Sequence, residues 1–146
     1  ANMSKALLEL LPESAAQISE RESALLMRLD ELEQEIQQKL EKLTQRQFLV
    51  FHPAWGYFAR QFDLEQVAIE HSHSSETDAD HLREIIDLAR AKSIRTILVQ
   101  PQLSKKSAEL IAGEVNARLV VVDPLERDWF HTMRVLSLAL ASQVDN

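Results

Sequence analysis

Residues 47–52, QFLVFH, form a short apolar run that ends in a histidine and is followed at once by Pro53. Three later runs repeat the pattern: 66–70 (QVAIE), 96–100 (TILVQ) and 118–123 (RLVVVD), the last ending in Asp123 before Pro124. Strands this apolar are covered on both faces, which points to a parallel sheet with helical crossovers. Helical segments fill the intervals. Residues 54–62 can make a short helix, and 79–92 carry Leu82, Ile85, Ile86 and Ala89 at helical spacing. Residues 104–115 form another, and 128–142 place Met133, Leu136 and Leu140 on one face. The expectation is an α/β fold: a four-stranded parallel sheet with helices on both faces, a Rossmann-like lobe. By analogy with doubly wound sheets the strand order should be 2-1-3-4.

Upstream of this alternation almost everything is helical. Residues 1–11 make an apolar-rich stub ended by Pro12, and 13–43 run without glycine or proline. Ile18, Leu25 and Leu32 are spaced by seven, as are Leu29, Ile36 and Leu43, with Leu40 beside the seam. A helix of about 30 residues would be about 45 Å long. That exceeds the width of a small domain, so part of it should project or serve a neighbour. The chain thus divides into 1–45, a helical stub and long helix, and 46–146, an α/β lobe. Its opening residues, ANMSK, already read as helix interior, so a fragment of a longer protein is expected.

Composition removes several functions. The 146 residues are 45% hydrophobic and 27% charged, enough for one domain with a core. Without cysteine there is no thiol catalysis, disulfide framework, iron–sulfur cluster or cysteine zinc finger. With only Gly56 and Gly113, neither a Walker loop nor a GxGxxG loop can be written. Sixteen basic residues against 23 acidic ones give a net charge of −7, which offers nucleic acid no basic footprint. No apolar run approaches the roughly 20 residues of a membrane span.

Ligands of an open parallel sheet bind beyond the carboxyl ends of its strands. The groups there are His52, Glu70 with His71, Gln100 and Asp123. A polar strand end needs no function, and Asp123 also suits a helix N-cap; His52 suits one poorly. Two chemistries fit a histidine and an aspartate on one edge. A general-base dyad would lack a nucleophile, because no serine sits on a sharp glycine-flanked turn. A metal site suits zinc or manganese, although zinc takes three or four ligands. A second candidate lies in HSHSSETDADH, 71–81, where His71, His73 and His81 could hold a weak surface zinc ion; the plainer reading is a solvated loop. Trp55 and Tyr57 could shield the His52 site, Phe58 reads as core, and Trp129 and Phe130 as packing for the last helix.

Residues 48–62, FLVFHPAWGYFARQF, resemble the FVVFHDAYGYFARRY segment of the zinc- and manganese-binding substrate-binding proteins of ABC importers, the ZnuA-like group. Residues 97–115 (ILVQPQLSKKSAELIAGEV) are similar to that group's IFVQPQFSPKSAETIAKEI, and 119–125 (LVVVDPL) to its VVVIDPL. The resemblance covers residues 13–146. It implies two lobes joined by a long rigid helix, one metal ion held between them, and two ligands from each lobe. In this sequence the second-lobe ligands fall on His52 and Asp123, the pair singled out by the strand ends. The histidine, where manganese members carry glutamate, favours zinc.

The resemblance further implies a periplasmic C-terminal lobe, an N-terminal lobe missing from this chain, and a membrane permease as partner. The function it implies is capture and hand-over of metal, without enzymatic activity. Departures from the pattern are Pro53 in place of Asp, and ETDADHL (76–82) where the group has EPSAKDL. The alternative function is a protein-interaction module in which exposed Leu25, Leu29, Leu32 and Ile36 pair with a partner or form a homodimer of the fragment, with metal incidental.

Overall fold

The structure, a computed structural model, describes residues 2–69, 79–102 and 105–142. It divides into two compact units, Ala1–Glu35 and Ile36–Asn146. The first holds helix α1 (Asn2–Leu10), a 3-10 turn (Pro12–Ser14) and most of α2 (Ala15–Leu40), whose last turns belong to the second unit. Pro12 opens the 3-10 turn, a position where its missing N–H costs nothing.

Helix α2 has 26 residues and so spans about 39 Å. It is shorter than its glycine-free run because residues 12–14 wind as the 3-10 turn, and because the chain leaves the helix through a turn closed by Leu43 N–H donating to Leu40 O (3.1 Å). The apolar seam splits along its length. Leu25 is 46% exposed and Leu29 half-buried, whereas Leu32, Ile36, Leu40 and Leu43 are at most 4% exposed. This corrects the expectation of four exposed contact residues, since Leu32 and Ile36 are already covered within the chain.

The second unit is a four-stranded parallel sheet in the order β2-β1-β3-β4. Its strands are β1 (Gln47–Val50), β2 (Glu65–Ala68), β3 (Thr96–Val99) and β4 (Arg118–Val121). Helix α3 (Gly56–Gln61) joins β1 to β2, α4 (Ala79–Ala91) joins β2 to β3, α5 (Lys106–Val115) joins β3 to β4, and α6 (Trp129–Ala141) follows β4. The expected order holds. Leu49 and Phe51 from β1 and its extension, and Ile97 and Val99 from β3, pack with Ile85 and Ala89 of α4 and with Ala108, Ile111 and Val115 of α5. Alternation turns Thr96 and Leu98 to the opposite face, where Thr96 Oγ1 donates to Ala139 O of α6 (3.4 Å). Both faces are therefore covered by helices.

On α6 the buried side chains include Thr132, Met133, Leu136 and Leu140. Trp129 contributes less than its size suggests. It is 45% exposed and meets Phe130 edge to face, with ring centroids 5.5 Å apart. Arg118 of β4 reaches the other end of α6, donating to Ala139 O (3.1 Å) and to Ser142 Oγ.

Three helices enter the following strand through one device. Asp63, Ser93 and Asn116 adopt left-handed φ of 52°, 54° and 51°. The next residue in each case donates back five positions: Leu64 to Ala59 O (2.8 Å), Ile94 to Ala89 O (2.9 Å) and Ala117 to Ala112 O (2.9 Å). These are Schellman closures, which glycine usually serves. The residue after the left-handed position is Leu64, Ile94 or Ala117, and Ile94 is fully buried. Apolar anchoring thus offsets a left-handed backbone cost of about 1–2 kcal/mol at a non-glycine residue.

Replacing Ser93 by glycine should therefore raise stability by about 1 kcal/mol, measured by urea unfolding. In the same assay Ile36→Ala should cost about 2–5 kcal/mol and Leu25→Ala less than about 0.5 kcal/mol. Equal losses from the two would mean that the seam is not divided as described.

Candidate metal centre

Strand order places one topological switch at this sheet. The chain leaves β1 towards β2 on one side, and leaves β3 towards β4 on the other. The connections after β1 and β3 therefore run to opposite sides, and the carboxyl edge beside such a switch is the usual ligand position of open parallel sheets. Val50 is in register with Leu98, and Leu98 with Val120. His52 thus stands two residues beyond its register position and Asp123 three beyond its own, on strands that flank β3. Two strand spacings separate their backbones by about 10 Å. Both sequence-predicted ligands lie on one edge of the sheet.

The β1 ladder continues to Phe51, whose N–H donates to Leu98 O (2.9 Å), and then turns. Pro53 has no N–H, so the first donor beyond it, Ala54 N–H, closes on His52 O (2.9 Å) in a tight turn. His52 is exposed and is not a cap, because the residue preceding α3 is Trp55. Trp55 is buried, and its N–H donates to Gln66 Oε1 on β2 (3.0 Å). Gly56 allows this approach, since a Cβ there would stand 3.2 Å from Gln66 Nε2. Tyr57, expected beside Trp55 as a shield, is 85% exposed and carries the Arg60 guanidinium over its ring at 5.3 Å. An open cavity of about 400 Å³ lies here, lined by Pro53, Ala54, Gly56, Tyr57, Arg60 and Gln66.

The other half of the edge is built from β4. Val122 N–H extends the ladder to Val99 O (3.0 Å), and half-buried Asp123 follows. Pro124 again removes a donor, so Leu125 N–H closes an Asx turn onto Asp123 Oδ1 (2.9 Å). The second carboxylate oxygen, Oδ2, accepts from Gln102 Nε2 (2.8 Å), which comes from the loop after β3. Asp123 is not the cap of α6. That place belongs to Asp128, whose Oδ1 accepts from His131 N–H (3.0 Å). His131 is exposed and lines a cavity of about 210 Å³ with Asp123 and Glu126.

Of the second candidate set, His71 and His73 lie outside the described residues, as does Glu70. His81 lies in α4 with its ring largely buried. Its Nε2 is 2.8 Å from Ile69 O, and its Nδ1 is 3.9 Å from Glu84 Oε2. The first contact ties the start of α4 to the end of β2. Among the described residues no three histidine, aspartate or glutamate side chains are grouped so as to hold a metal ion. Gln102 and Gln66 escaped the sequence reading. The signals were an amide just past the β3 run, in QPQ, and an amide at the head of the QVAIE run.

The family described as zinc-uptake complex component A, periplasmic, matches residues 1–142. The chain belongs to this ZnuA family. Among solved structures, a crystal structure of ZnuA superposes with a TM-score of 0.91 at 37% identity, covering 96% of this chain and 55% of that one. A zinc-bound ZnuA deletion mutant gives 0.88 at 37% identity, covering 95% of this chain and 53% of that one. The high-affinity zinc uptake system protein ZnuA of Brucella abortus is 29% identical over 126 residues, 86% of this chain and 38% of its own length. This chain spans about half the length, or less, of the curated relatives it matches, reaching 51% of a Chlamydia muridarum protein. Among the described residues no helix is long and apolar enough to cross a membrane.

Gln66→Ala should leave the buried Trp55 N–H without its acceptor and cost about 0.5–1.5 kcal/mol. Hydrogen exchange at that amide should accelerate by a matching factor while the β3 amides keep their protection.

Proposed function

We propose that this chain is the C-terminal metal-binding lobe of a periplasmic zinc-uptake solute-binding protein, which captures zinc and hands it to an ABC-importer permease. The observation that carries the reading is the placement of His52 and Asp123 on one carboxyl edge, beside the switch point, in a chain of the ZnuA family. Neutral His52 gives one nitrogen and ionised Asp123 one oxygen, at about 2.0–2.2 Å from the ion. An imidazole donor with a single carboxylate favours zinc over manganese, which prefers oxygen. The task is transport, with no covalent bond of a substrate made or broken.

Two ligands leave zinc half coordinated. The other donors come from a second lobe in a longer protein, in keeping with relatives about twice as long as this chain. The long helix α2 then serves as the connection between lobes. A protein built this way holds the ion strongly when closed and weakly when open, which is what release to a permease requires.

In a chelator-competition titration of the 146-residue chain, zinc should bind weakly. Both His52→Ala and Asp123→Ala should reduce the affinity at least tenfold, about 1.4 kcal/mol. Binding should weaken in mildly acid buffer, because a ligating imidazole must be unprotonated. Tight binding retained in both variants would move the site to His71, His73 and His81 and overturn this assignment.

A further inference from the structure

We propose that Gln102 is the positioning residue of the metal site, bridging the loops that follow β3 and β4 to hold the Asp123 carboxylate in one orientation. The inference rests on Asp123 being a ligand, the reading given above.

A carboxylate presents about four lone-pair directions on its two oxygens. One on Oδ1 is taken by Leu125 N–H (2.9 Å) and one on Oδ2 by Gln102 Nε2 (2.8 Å). The terminal torsion of an aspartate side chain is otherwise broad, so either bond alone leaves the plane of the carboxylate free to swing. Together they pin both oxygens. The donors also come from different places. Leu125 belongs to the same turn as Asp123 and moves with it, whereas Gln102 belongs to the loop after β3. The β3–β4 ladder fixes the Asp123 backbone through Val122, and Gln102 ties the carboxylate itself to the loop after β3, the strand that lies between Asp123 and His52. One lone pair on each oxygen remains for a metal ion, which meets a donor already oriented, and less ordering is lost on binding.

Outer partners of metal ligands commonly carry 10–100-fold in affinity. Gln102 is exposed to solvent, which puts it at the low end of that range. Gln102→Met keeps the length and removes the donor, while Gln102→Asn keeps the donor and shortens the reach. Each should weaken zinc binding by the 146-residue chain about tenfold in chelator competition. Each should also change the intensity of the visible bands of the cobalt-loaded chain, which report ligand geometry, while the urea midpoint of the metal-free chain stays within error of the parent. The two outcomes that overturn ideas are separable. If Asp123→Ala weakens zinc binding but both Gln102 variants match the parent in affinity and cobalt spectrum, the positioning role is wrong and the ligand assignment stands. If Asp123→Ala itself leaves affinity unchanged, the ligand assignment fails and this inference with it.

Discussion

Strand β3 is the constraint on which the rest of this molecule depends. All four of its residues are buried, and it pairs in parallel with β1 on one side and β4 on the other. Parallel pairing aligns the carboxyl ends of three strands, so whatever follows them meets at one edge. His52 follows β1, Gln102 follows β3 and Asp123 follows β4. Gln102 and Asp123, separated in sequence, meet there because Ile97 and Val99 are covered by α4 and α5 while Thr96 turns to α6. The hydrophobic demand on one short strand thus fixes the geometry of a polar edge.

That edge is shaped as much by missing donors as by present ones. Pro53 and Pro124 each remove the backbone N–H that would otherwise follow the candidate ligand directly. The turn must then close on the next amide, Ala54 onto the His52 carbonyl and Leu125 onto the Asp123 carboxylate. The same proline therefore has different consequences on the two strands. At His52 the turn bond uses the backbone and involves no side-chain atom. At Asp123 it uses the carboxylate itself, which makes an inter-loop donor such as Gln102 consequential.

The helical half follows a different logic. A heptad-like pattern in α2 reports only that one stripe is apolar, and the same spacing serves an external partner or the chain's own core. Here the stripe divides along one helix: Leu32 and Ile36 are covered by the chain, while Leu25 is exposed, as are its neighbours Leu26 and Met27. Seven-residue spacing carries no mark of where one use gives way to the other, so only burial distinguishes them.

What the sequence by itself determined was the alternation of strands and helices in the α/β half, with His52 and Asp123 as candidates at strand ends; the strand order was expected by analogy with doubly wound sheets and is set by the pairing in the structure. Short β-branched runs with helical intervals admit few arrangements, and a ligand-type residue before proline at a strand end is a local feature that survives folding. The sequence placed the ends of three helices at 62, 92 and 115, but only the structure shows that Asp63, Ser93 and Asn116 close them as left-handed turns backed by apolar neighbours. Tertiary structure alone decided that Asp128 and not Asp123 caps α6, that Tyr57 faces solvent while Trp55 is buried, and that Gln102 reaches Asp123. Each of these depends on which loops the sheet brings side by side, and a glutamine or aspartate has several partners of equal chemistry until the packing of distant segments selects one.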